Sequence, residues 1–156
     1  MALRTIRTVP DEILRKKSRE VTELTPRLKE LIKDMLETMQ NADGVGLAAV
    51  QVGVLRRIVV IDIGEGPIVL INPKIVKTEG EYVDVEACLS LPGESGFTLR
   101  PKKTWVKALD ENMNEFELMG EDLLSKAICH EVEHLDGILY TDNLVDLPED
   151  YEESEE

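Results

Sequence analysis

Basic residues are scarce in this chain: 18 Lys and Arg stand against 32 Asp and Glu, for a net charge of −14. A nucleic-acid surface carries a basic stripe, so this balance argues against one. Long apolar runs are missing as well. None approaches the roughly 20 residues that cross a bilayer, so no membrane partner is expected. The opening residues, MALRTIRTVPDEIL, hold no extended apolar stretch of the kind a secretory signal needs, which makes the cytoplasm the expected location. Cysteine is limited to Cys88 and Cys129. They could form one disulfide, but in a reducing compartment a metal ligand or a buried thiol is the better expectation.

What is present suits one ordinary domain. A chain of 156 residues with 42% hydrophobic content is long enough to build a core. We read residues 1–147 as the folded domain. Residues 148–156 are almost all acid, and such a run repels itself and buries nothing, so they read as a disordered tail.

Periodicity outlines the elements. Residues 11–17 suggest a short helix. Thr25 reads as an N-cap with Pro26 at the first helical position. Leu28, Leu31, Ile32, Met35, Leu36 and Met39 then follow a 3.6-residue period to about Gln40. Residues 41–53 are rich in glycine and small apolar residues, and Gly44 and Gly46 would let backbone approach a ligand closely. A phosphate loop is a poor reading, since no Gly-Lys-Ser/Thr follows. Residues 57–63, 67–76 and 81–85 read as strands. Residues 98–109 and 115–119 look like a hairpin. The order helix, strands, helix predicts an α+β fold, with mainly antiparallel sheets packed around one key helix.

That helix carries the chemistry. The two histidines of the chain stand four residues apart in His130-Glu131-Val132-Glu133-His134. Positions i and i+4 share a helix face, so two imidazoles can grip one divalent ion while Glu131 handles protons on water. An isolated histidine is ordinarily a hydrogen-bonded surface or core residue; two in this register around a Glu favour a metal site. Residues 121–135 contain no Pro or Gly, and Gly120 and Gly137 bracket them. Leu123, Leu124, Ala127, Ile128 and Leu135 supply an apolar face, so both imidazoles should be largely buried.

A catalytic metal of this kind takes three protein ligands and keeps one position for water. There is no third histidine, and a Glu after Gly137 would have to come from the acidic tail, a poor platform. Cys88, at the end of a strand and just before the Pro92-Gly93 turn, is the leading candidate. Cys129 precedes His130 by one position and should point about 100° away from it. On the residues alone, Cys88 stays open between a ligand and a plain buried thiol.

Three segments together resemble one family, the peptide deformylases. Gly44-Val45-Gly46-Leu47-Ala48-Ala49-Val50-Gln51 is similar to the family's G-φ-G-φ-A-A-x-Q, where φ is apolar. Glu86-Ala87-Cys88-Leu89-Ser90 is similar to E-G-C-φ-S, and the histidine motif to H-E-φ-D-H. Leu91-Pro92-Gly93 and Arg100-Pro101 look like the family's connecting segments. The resemblance implies removal of the formyl group from formyl-methionyl nascent peptides, with release of formate. It implies Cys88, His130 and His134 as ligands to one divalent ion, typically Fe2+, with Zn2+, Ni2+ or Co2+ able to occupy the site. Glu131 would be the general acid/base. The Gln51 amide and the Leu89 N–H would stabilise the oxyanion. Gly46 would pair its backbone with the substrate, and Val45 would help line the methionine pocket.

Three positions depart from the family pattern. Ala87 stands in place of Gly. It is costly if the backbone there is left-handed and cheap if it is extended. Glu133 replaces Asp, and we expect it to pair with Arg100 in support of the site. Val50 replaces a frequent proline. Some members end in a basic helix that docks on the ribosome. The acidic end of this chain does not suit that route, so only transient ribosome proximity is expected. Two other functions compete: a degenerate relative that binds metal or peptide without turnover, favoured only by Ala87, and an ordinary H-E-x-x-H peptidase, weakened by the missing downstream ligand.

Overall fold

The computed structural model describes residues 2–146, and the acidic tail expected at 148–156 lies outside them. Helix α1 covers Pro26–Asn41. Thr25 caps it by accepting from the Leu28 N–H at 3.2 Å, and Pro26 occupies the first turn, where its missing N–H costs nothing. Seven strands follow: β1 (Gly46–Ala48), β2 (Ile58–Ile61), β3 (Ile68–Glu79), β4 (Tyr82–Ala87), β5 (Ser95–Arg100), β6 (Lys103–Leu109) and β7 (Glu115–Glu121). Helix α2, Leu123–Leu135, closes the sequence of main elements and carries both histidines.

All strand pairings are antiparallel. One sheet runs in the order β1-β2-β3-β6-β7, and β4 and β5 form a separate two-stranded sheet. The helices take opposite faces of the larger sheet. Successive strand side chains point to opposite faces, and β2 shows the consequence. Ile58 and Val60 join Leu31, Met35 and Met39 of α1, whereas Val59 and Ile61 join Ala127, Ile128 and Leu135 of α2. A strand covered on both faces reads as an unbroken apolar run, which is what Ile58-Val59-Val60-Ile61 is. Met35 and Met39 are fully buried core, each stabilising the fold by about 1.5–3 kcal/mol through removal from water. Among the described residues no helix is long and apolar enough to cross a membrane.

The fold differs from the sequence reading in three places. The helix expected at 11–17 is a single 3-10 turn, Glu12–Arg15, capped by the Asp11 carboxylate on the Ile13 N–H. The glycine-rich segment 41–53, to which the sequence reading assigns no element, holds β1 and a 3-10 turn, Ala49–Val52. The strand expected over 98–109 is two strands in two sheets, since β5 pairs with β4 and β6 with β3. Pro101 sits at the break, where its lack of an N–H ends one ladder before the next begins.

Candidate metal centre and cleft

Helix α2 places His130 and His134 one turn apart, with their Nε2 atoms 3.2 Å from each other. Cys88 follows β4 directly, and its Sγ lies 3.3 Å from His134 Nε2. The three donor atoms all fall within 4.8 Å of one another. Nitrogens about 2.0–2.1 Å from a shared ion at tetrahedral angles are themselves about 3.3–3.4 Å apart. The observed spacing therefore matches a preformed tetrahedral edge. His134 is 1% exposed and His130 8%, so the lone pairs converge in a place poor in water. This donor set fits one divalent cation, iron or zinc alike.

Glu86 completes the arrangement, and the sequence reading gives it no role. His130 Nδ1 lies 2.5 Å from Glu86 Oε2; with Nδ1 donating there, Nε2 is the nitrogen that a bound cation would take in place of a proton. The same carboxylate accepts from Arg100 Nε at 2.8 Å and Nη2 at 2.6 Å, and from Thr98 Oγ1 at 2.7 Å. Arg100 Nη1 continues to Glu133 Oε1 at 2.9 Å, so the pairing expected for Glu133 is present. A signal was available in the sequence: metal-bound histidines nearly always hand their other N–H to an acceptor, and Glu86 is two strand positions before Cys88. Replacing Glu86 by Gln should weaken metal binding by about 10–100-fold, read by competition with a chromophoric chelator.

Electrostatics separate the ionisable groups. Burial opposes charge on Glu86, yet His130 and Arg100 overcome it and hold the carboxyl well below the usual range. Burial likewise opposes charge on His130, but Glu131, Cys88 and Glu86 push its pKa well above the ordinary value. His134 is lowered to about 3 by burial and by the neighbouring His130. Glu131 is raised to about 7, chiefly by burial.

The first motif is explained by what touches it. A Cβ on Gly46 would stand 2.5 Å from Glu131 Oε2, and one on Gly44 would stand 2.6 Å from Leu89 Cδ1. Neither glycine has positive φ, so close approach, not backbone freedom, is what requires them. Each glycine receives a side chain from one of the other two motifs. Gly46→Ala should displace Glu131 and cut turnover by about 10²-fold with metal content unchanged, read as rate per bound metal. Gln51 is fixed at both ends of its amide: Oε1 accepts from the Ala48 N–H at 2.9 Å, and Nε2 donates to Ser90 Oγ at 3.0 Å. That nitrogen also lies 3.6 Å from Cys88 Sγ, beside the centre. The Leu89 N–H has no hydrogen-bond partner among the described residues.

A cleft of about 420 Å³ collects these groups. Val45, Gly46, Gln51, Cys88, Leu89, His130 and Glu131 line it; His134 lies outside the wall and reaches the centre through Nε2. Val45 is 42% exposed at the mouth. Glu131 Oε1 is buried without a hydrogen-bond partner among the described residues, and Oε2 is 3.9 Å from His130 Nε2. Cys129 faces away, buried against Thr104 Oγ1 at 3.5 Å. Ala87 is an exposed residue of β4 paired with Ser95, and its φ is not positive. The extended alternative holds, so Ala87 carries no backbone strain.

The model of the polypeptide deformylase family matches residues 3–149. A peptide deformylase of Agathobacter rectalis is 54% identical over the whole of both chains. Peptide deformylase 1 of Clostridium acetobutylicum is 57% identical over 94% of this chain and 97% of its own. The crystal structure of a peptide deformylase from Legionella pneumophila superposes with a TM-score of 0.89 at 44% identity, over 92% of this chain and 86% of that one. With the same three motifs meeting in one cleft, this chain belongs to the polypeptide deformylase family.

Proposed function

We propose that this chain is a peptide deformylase that hydrolyses the formyl amide of formyl-methionyl peptides, using one divalent metal held by Cys88, His130 and His134. The observation that carries this reading is the convergence of the three donors beside Glu131 in one cleft. Fe2+ is the metal we assign, with Zn2+, Ni2+ and Co2+ as ions the same donors accept. When bound, such a cation supplies Lewis acidity that makes water more acidic and polarises a carbonyl.

The chain's own residues supply the rest. Glu131 takes a proton from the attacking water and returns it to the leaving amine nitrogen as the formyl C–N bond breaks. Its buried Oε1 has no hydrogen-bond partner among the described residues to compete for that proton. Gln51 Nε2 and the Leu89 N–H donate to the formyl oxygen as it becomes negative. Ala48 and Ser90 hold the plane of the Gln51 amide, and the N–H that points at Cys88 Sγ is the one that turns to the formyl oxygen. Val45 offers apolar surface to the methionine side chain. Strand β1 is the edge of its sheet, and Gly46 on it can pair backbone groups with an extended peptide. Water enters; formate and a free amino terminus leave. The substrate arises on translating ribosomes, so the reading puts the protein beside them in the cytoplasm, with residues 1–147 as the catalytic unit.

Incubation of formyl-Met-Ala-Ser with chain loaded anaerobically with ferrous iron tests this reading. The expected products are formate and intact Met-Ala-Ser. Cleavage between Met and Ala would mark a peptidase instead. No reaction with one metal bound per chain would mark a binding relative.

A further inference from the structure

Among the described residues that line the cleft, Lys126 is the one Lys or Arg, and the proposed reaction does not use it. Helix α2 places it one turn before His130, on the cleft side, between Leu123 and Ala127, which also line the cleft. Its side chain is 12% exposed, and Nζ donates to Asp84 Oδ2 at 3.1 Å and to the Val85 carbonyl at 2.8 Å. Asp84 is fixed in turn, since Oδ1 accepts from the Val85 N–H at 2.8 Å. An ammonium has three N–H donors, and these contacts use two. The third has no partner among the described residues.

We propose that Lys126 lets the side-chain pocket of this cleft accept a first residue ending in a hydrogen-bond acceptor, methionine sulfoxide above all, beside methionine itself. The proposal rests on the deformylase reading above. An entirely apolar pocket rejects a sulfoxide, because its oxygen leaves water and meets no donor. Lys126 supplies that donor from a position Asp84 already holds, so little side-chain freedom is lost on binding. The methylenes of such a residue pack on Leu123, Ala127 and Val45, as those of methionine do. Lys126 also joins α2 to β4, but loss of a mere staple would slow every peptide alike.

Formate release from formyl-Met(O)-Ala-Ser and formyl-norleucyl-Ala-Ser, compared on the iron-loaded full chain, separates the two roles. Norleucine has the length of methionine and no acceptor. The ratio of kcat/KM values, sulfoxide over norleucine, should be at least about 0.1 in the unaltered chain. It should fall at least about tenfold in Lys126→Met and recover in Lys126→Arg, which keeps a donor. A ratio below about 0.01 in the unaltered chain, or one unchanged in Lys126→Met, would overturn the proposal. Absence of formate from the norleucyl peptide as well as from formyl-Met-Ala-Ser would instead bring down the deformylase reading, and the proposal with it.

Discussion

Glu131→Gln should lower formate release by about 10²–10⁴-fold and leave the metal in place. The substitution keeps the shape of the side chain, so it still fits the space that the absence of a Cβ at Gly46 leaves. What it removes is the capacity to take a proton from water and pass it to the leaving nitrogen. Glu131 sits against the site without joining the donor set: its Oε2 is 3.9 Å from His130 Nε2, while the three candidate ligands are Cys88, His130 and His134. Activity and metal content should therefore separate. Rate per chain measured with metal per chain on the same sample reads both. Parallel loss of metal and activity would recast Glu131 as a ligand.

The second large effect falls on Cys88. Cys88→Ala should abolish formate release and leave less than one metal per chain, because two imidazoles alone cannot complete a three-ligand site. Cys129→Ala is the control. Its thiol is buried beside Thr104 on the other side of α2, so that variant should keep metal and turnover. Circular dichroism on both variants checks that the fold persists. A Cys88→Ala chain that still binds one metal and still releases formate would place the third ligand elsewhere and revive the ordinary peptidase reading.

Long periodic segments were legible in the sequence, because local propensity and packing agree in them. Thr25 and Pro26 start α1 where the capping pattern puts them, and α2 ends at Leu135 as expected. Strand β1 was not legible. Gly-Leu-Ala has little strand propensity, and only its pairing with Val59 to Ile61 of β2 makes it a strand. The break at Pro101 was visible as a residue, and β4 as a strand, but the sheet change depends on β5 pairing with β4 and not with β3, a long-range choice that no local pattern reveals. Residues of the candidate site are legible through their motifs, yet the place of Glu86 against His130 is hidden for a physical reason. In β4 the usual alternation is inverted: Glu86 is 4% exposed, whereas Val85 is 43% exposed at the cleft. A strand read by hydrophobicity turns valines inward, and here the inward position belongs to a carboxylate already paired with Arg100 and His130. The valine is left free to face the cleft.

One metal, held by Cys88, His130 and His134, is what makes this chain a deformylase in the reading proposed above. Anaerobic titration of metal-free chain with ferrous iron, with formate release from formyl-Met-Ala-Ser measured at each addition, tests it most directly. Release should rise linearly and stop rising at one equivalent per chain. Undiminished release from the metal-free chain, or a rise that continues to a second equivalent, would contradict it.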